Sequence, residues 1–371
     1  MRRSRRAKAP LRSELLIDEP RLGRAAAGPA LWVGLAAGAA AAVMQALVRH
    51  EAVPHGDDLI YERMADDPFG VHTFPFGYRI GVPLVVHALP FAHRTSFVLL
   101  GLLCLGAAAG FLYALMRALE LPAGASAVAC VAFALCPGAL VALLRNGRSV
   151  DPATLLVMCA AALFIVRRQP VALAVTLLLG AFVRESTLFM IPFAYAVWAD
   201  RWLDRAALAR VCLVAAPAVA AYLALRLAIP TVGRAQVVGY NESFLSGRVT
   251  VVRTALRDWR VELRRVFLTF GPLWLIAPFA LRRMTYAQRG LVLVACCVAS
   301  LTYALDWERV LLLAAPVVYP AAGFVLGRAQ RLRIPVLAAW LAIAAGYAVY
   351  MDRTGVVHNI DGGSPPTYPV Q

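Results

Sequence analysis

Apolar runs recur along almost the whole chain, near residues 28–48, 95–116, 124–143, 152–166, 170–183, 186–199, 207–229, 265–281, 290–305, 309–327 and 334–351. A hydrocarbon core about 30 Å thick is crossed by roughly 20 apolar residues in a helix. Lipid offers no hydrogen bonds, so a spanning backbone must satisfy its own polar groups, and apolarity this unbroken means helices rather than barrel strands. The expected fold is an all-α integral membrane protein with about eleven transmembrane helices. Several of the runs are shorter than a simple crossing requires.

Composition agrees. The chain is 61% hydrophobic and 16% charged, with mean hydropathy +0.69. Those values exclude an ordinary soluble domain and a disordered one. A net charge of +16 would suit nucleic acid, but the basic residues cluster in short loops between apolar runs. That is the positive-inside pattern, so the expected partner is the bilayer, not nucleic acid. All seven cysteines lie in or beside apolar runs, with no ligand-like spacing. Neither a disulfide framework nor a zinc site is indicated, and no cofactor is expected. No Walker A loop or Rossmann glycine pattern occurs.

Residues 1–27 read as a basic cytoplasmic tail, 28–351 as the polytopic domain, and 352–371 as a flexible outer tail. Arg167–Arg168, Arg201, Arg205, Arg282, Arg283, Arg328 and Arg331 fall in loops expected inside. The loop 49–79 follows the first run on the outer face and is the densest acidic segment, with Glu51, Asp57, Asp58, Glu62, Asp66 and Asp67. Aromatic and Pro residues are interleaved with them, which suits short helices packed on the membrane rather than a solvated tail. A second outer loop, 230–263, carries Val249, Val252, Leu256, Trp259 and Leu263 at three-and-four spacing, an amphipathic helix expected in the interface plane. His50, His55, His72, His87 and His93 lack metal-ligand spacing and read as packing or interface residues.

Polar residues at the outer ends of the runs are the candidate site: Asp57, Asp58, Tyr61, Arg79, Asn146, Asp151, Arg184, Glu185, Asp306 and Arg309. Charge held at membrane depth is costly and usually faces a cavity or a partner. Asp57 or Asp58 suits a general base; either also suits the cap of a helix starting at Leu59. Asp151–Pro152 reads as an N-cap followed by Pro at the first helical position. Arg184–Glu185 interrupts a run of 28 residues from Val171 to Trp198, as a junction of two short helices or as an intrahelical pair. Arg309 suits a phosphate, or a pair with Asp306.

Four stretches carry a resemblance: GDDLIYERMADDPF followed by PFGYRIGVPLVVHALP; RNGRSVDPATLLVMCAAALF; LLLGAFVRESTLFMIPFAYAV; and ALDWERVLLLAAPVVYP. Together they resemble the GT-C superfamily of polytopic membrane glycosyltransferases, in a small form without a soluble C-terminal domain. The resemblance implies transfer of a sugar from a polyprenyl-phosphate carrier to an acceptor hydroxyl, with inversion, on the outer face of a bacterial inner membrane. It implies Asp57 as general base with Asp58 as second choice, and Arg79, Arg184 and Arg309 lining the donor phosphate or the cavity. The partners would be the lipid-linked donor and a lipid or glycan acceptor. A transporter or flippase for a lipid-linked or anionic substrate is the alternative class, since it too places Arg and carboxylates in a membrane cavity. Charges concentrated at the outer ends of the runs favour the enzyme.

Overall fold

The computed structural model describes residues 27–47, 56–73, 75–140, 143, 147–232, 252–253, 256–257, 259–302 and 307–354. Each of the eleven apolar runs contains helix within that part. In chain order the helices are α1 (Ala27–Leu47), α2 (Gly56–Asp66), α3 (Gly81–Ala88), α4 (His93–Ala118), α5 (Ala123–Ala134) and α6 (Pro137–Leu140). There follow α7 (Asp151–Val166), α8 (Pro170–Val183), α9 (Met190–Trp198) and α10 (Arg205–Ala228). The last set is α11 (Trp259–Phe270), α12 (Leu273–Ile276), α13 (Thr285–Ser300), α14 (Trp307–Leu311), α15 (Ala315–Arg328) and α16 (Arg333–Thr354).

By length and composition, four helical stretches suffice to cross a membrane: Gly28–Ala46, His93–Ala118, Arg205–Ala228 and Trp307–Arg328. A bent pair, Glu262–Phe270 with Leu273–Arg282, makes a fifth if counted as one span. Helices such as α7 and α13, at 16 residues each, rise only about 24 Å.

Three sequence expectations change here. The run 124–143 does not form one helix: α5 stops at Ala134 and α6 starts at Pro137, because a proline ring cannot donate to the preceding turn. The run 265–281 does not start a new element after an interfacial helix. It is continuous with helix from Trp259 and then bends by 78° at Gly271–Pro272. Residues 233–251 of the expected amphipathic loop lie outside the described residues, as do residues 1–26, 48–55 and 355–371. Finally, the helix expected to begin at Leu59 already includes Gly56, so Asp57 and Asp58 sit in its first turn.

One large apolar core joins most of the bundle, with Leu112, Phe133, Met158, Phe193, Phe270, Tyr319 and Trp340 sealed inside. α1 rests on α4 backbone to backbone. A Cβ on Gly34 would stand 2.8 Å from the carbonyl oxygen of Gly106, and one on Gly106 would stand 2.9 Å from that of Gly34. Asp204 caps α10, its carboxylate accepting from the N–H groups of Ala206 and Ala207, each at 3.1 Å. Donation from Ala207, then from Asp200, holds that carboxyl below its ordinary value.

A second, smaller apolar cluster lies under the acidic loop. Asp58, Tyr61, Met64, Ala65 and Pro68 are all buried, a three-and-four spacing that turns one face of α2 inward. Tyr61, Met64 and Ala65 pack with Tyr78, Ile80, Phe97 and Val150. Each large apolar side chain sealed this way contributes on the order of 1.5–3 kcal/mol. The loop's acidic composition therefore does not leave it solvated. α2 ends at Asp66, and Asp67–Pro68–Phe69–Gly70 forms a turn, with the Gly70 N–H donating to the Asp67 carbonyl at 3.1 Å. A short parallel pair, His72–Thr73 with Thr231–Val232, ties this loop to the end of α10.

Candidate functional site

The site is assembled from four parts of the chain that end at the same level of the bundle. Arg79 follows a short 3-10 turn, Phe76–Tyr78, at the end of the acidic loop. Gly81, two residues on, packs directly on the end of α8: an added Cβ would lie 3.0 Å from the Phe182 carbonyl oxygen. That close approach carries Arg79 to the α8–α9 junction. There Arg184 is extended (φ −166°, ψ 140°) and ends α8, and a 3-10 turn over Glu185–Phe189 leads into α9. The junction of two short helices is thus observed, and the intrahelical pairing of Arg184 with Glu185 is not.

Instead the two side chains reach in different directions. Glu185 grips Arg79 with both oxygens, Nε to Oε2 at 3.1 Å and Nη2 to Oε1 at 2.5 Å. Such a two-point guanidinium–carboxylate contact fixes orientation as well as charge. Arg79 Nη1 donates to the Tyr61 hydroxyl at 3.0 Å, and the guanidinium lies 5.2 Å from the centre of the Phe76 ring. Arg184 pairs with Asp151 Oδ1. Arg309, 158 positions further along, donates from Nε to Asp151 Oδ2 at 2.5 Å.

Asp151 therefore does not cap α7. Its carboxylate is divided between two guanidiniums, while its own N–H donates to Ser149 Oγ at 3.1 Å. Val150 holds the cap position, so Pro152 is the second helical residue. The pairing of Arg309 with Asp306 lies outside the described residues, as do Asn146 and Asp306 themselves and the side chain of Asp57.

Tyr61, Arg79, Asp151, Arg184, Glu185 and Arg309 are thus brought together, and Asp58 is buried (2% exposed) one helical turn before Tyr61 on the same face of α2. Arg79, Arg184 and Arg309 share this region with the buried carboxylates of Asp151, Asp58 and Glu308 and the partly buried one of Glu185. Among the described residues the buried Arg184 Nε–H has no hydrogen-bond partner. A buried N–H of that kind costs free energy until something accepts from it. A guanidinium N–H of this kind suits an oxygen acceptor. Among the described residues no group of His, Cys, Asp and Glu is arranged to hold a metal ion.

Sequence reasoning missed three contributors. Glu62 pairs with Arg148 at 3.2 Å, fastening α2 to the segment before α7. Arg226 stacks on Tyr78 at 4.7 Å and on Tyr222 at 4.6 Å. Its signal was a lone Arg four residues after Tyr222 near the end of an apolar helix, a spacing that places both on one face. Arg265, at the edge of a run read as apolar, is buried and paired with Glu262 at 3.0 Å. Of the five histidines within residues 50–93, His50 and His55 lie outside the described residues; His72 Nε2 lies 2.6 Å from the Asp67 carbonyl oxygen, His87 Nδ1 lies 2.8 Å from that of Ala65, and His93 Nδ1 lies 3.3 Å from Asp66 Oδ1.

Compared with known proteins, the chain matches no family model and no curated protein.

Proposed function

We propose that this protein is a membrane glycosyltransferase of GT-C type, with about eleven spans, that moves a sugar from a polyprenyl-phosphate carrier to an acceptor hydroxyl on the outer face of a bacterial inner membrane. The reading is supported above all by the network in which Asp151 and Glu185 hold Arg79, Arg184 and Arg309 at one end of the bundle beside α2. A lipid-linked donor requires such a place, because its phosphate must meet cations at the boundary while its chain stays in lipid.

In the reaction, a carboxylate of the Asp57–Asp58 pair takes the proton of the acceptor hydroxyl. The acceptor oxygen attacks the anomeric carbon and forms the new C–O bond. The bond from that carbon to the phosphate oxygen breaks on the opposite side, its electron pair passing to the phosphate. Polyprenyl phosphate leaves with an added negative charge, which the guanidiniums stabilise more strongly than they do the intact donor. One displacement inverts the anomeric centre. Asp58 shares the α2 face that carries Tyr61, which favours it slightly over Asp57 as the base.

Donor binding tests the phosphate site. Arg184→Gln is expected to weaken binding of a labelled polyprenyl-phosphate sugar to the reconstituted protein by about tenfold to a hundredfold, the worth of one charge-assisted hydrogen bond. Arg201→Gln, on an exposed loop residue, is expected to leave binding unchanged. Equal binding by wild type and Arg184→Gln, with both folded, would remove the phosphate from this network.

A further inference from the structure

At the end of the bundle away from the ion-pair network lies a cavity that the reaction does not use. It has a volume of about 690 Å³ and runs between α1 and α4, with walls from Leu31, Leu35, Leu103 and Phe111. Its origin is the close contact of the two helices, which run antiparallel: Ala30 lies against Gly110, and Gly34 against Gly106. Small residues at the contact let the backbones meet, while the larger side chains on either side stand up as walls.

Among the described residues the charged one lining this groove is Arg167, at the end of α7. Asp151 starts the same helix about 24 Å away. Arg167 is half-buried, and its guanidinium makes no side-chain hydrogen bond or ion pair among the described residues. An apolar trough with a guanidinium at one end has the shape and charge to take an amphiphile with an anionic head. Basic pockets between transmembrane helices hold phospholipid headgroups on this principle.

We propose that the α1–α4 groove is a specific binding site for an anionic phospholipid, with an acyl chain lying between Leu35 and Leu103 and the headgroup phosphate on Arg167. The bound lipid covers the side of α1 that α4 leaves open, and so fastens α1 to the bundle. This site is independent of the sugar-transfer reading.

The test uses the full-length protein, delipidated in detergent, and native mass spectrometry. Phosphatidylglycerol and phosphatidylcholine with identical acyl chains are added at equal concentrations. Wild type is expected to retain the anionic lipid about fivefold over the zwitterionic one, the preference one basic side chain gives. Arg167→Gln is expected to bring the ratio close to one, whereas Arg201→Gln, exposed at the same end of the bundle, leaves it as in wild type. Ala107→Phe, at an exposed lining position, fills the trough and lowers retention of both lipids. An Arg167→Gln protein that keeps the wild-type preference would overturn the proposal. So would unchanged retention in Ala107→Phe, displacement of the lipid by inorganic phosphate alone, or no retained lipid in wild type.

Discussion

Gly271→Ala is expected to unfasten the last helix from the bundle, with one of the largest losses of stability of any single methyl group in this protein. Two costs fall on the same atom. Gly271 has φ +50°, a left-handed backbone that costs a residue with a Cβ roughly 1–2 kcal/mol. The added Cβ would also stand 1.8 Å from Cζ3 of Trp340, and overpacking of a filled core costs typically about 1–3 kcal/mol more. Trp340 cannot step aside easily. Its ring is fully buried and its Nε1–H donates to the Ala132 carbonyl at 2.5 Å. Trp340→Ala by itself is expected to cost about 3–5 kcal/mol. The double variant should cost clearly less than the two single losses added together, because removing the ring gives the new methyl room. Thermal unfolding of the purified protein checks this; a Gly271→Ala protein as stable as wild type would mean that Trp340 does not occupy this place.

Asp151→Ala is the second large effect. One carboxylate holds two guanidiniums, Arg309 buried and Arg184 largely so. Its removal leaves both charges without that partner, and breaking a buried pair costs about 3–5 kcal/mol. The loss exceeds the worth of the contacts themselves, since the guanidiniums stay away from water. Combining Asp151→Ala with Arg309→Met is therefore expected to recover part of the stability lost by Asp151→Ala alone. Additive losses in that double variant would show that Asp151 and Arg309 do not depend on one another. Donor binding is expected to fall in the single variant too, because Asp151 positions the two arginines.

The positions of the apolar runs were readable in the sequence because hydropathy is a local property: each run is enough by itself to indicate a helix. Breaks within the runs were readable in principle. Pro137 and Gly271–Pro272 are the usual interruptions, and only composition averaged over the run concealed them. Arg184–Glu185 stood out because two charges split one long apolar run, and the structure does divide the helix there.

Partner choice was not readable. Arg309 finds Asp151 across 158 positions, and Arg79 finds Glu185 across 106. Such pairings depend on how α3, α7, α8 and α14 stack, and hydropathy carries no information on that. For the same reason Asp151 looked like a helix cap from its neighbour Pro152, while tertiary packing gave its carboxylate two arginines instead. Glu62 was missed because it does not differ locally from any other charge near a membrane boundary, and Arg226 because its spacing from Tyr222 says nothing of Tyr78.

The most direct measurement is sugar transfer by the full-length protein reconstituted in lipid. It would be supplied with labelled polyprenyl-phosphate sugars and membrane-extract acceptors, comparing wild type with Asp57→Asn and Asp58→Asn. The account predicts transfer by wild type and its collapse by about a hundredfold or more in one of the two variants, with that variant still folded and still binding donor. Donor bound but never transferred by wild type would point to a carrier or flippase. Transfer that survives in both variants would contradict the assignment of the base to the acidic loop.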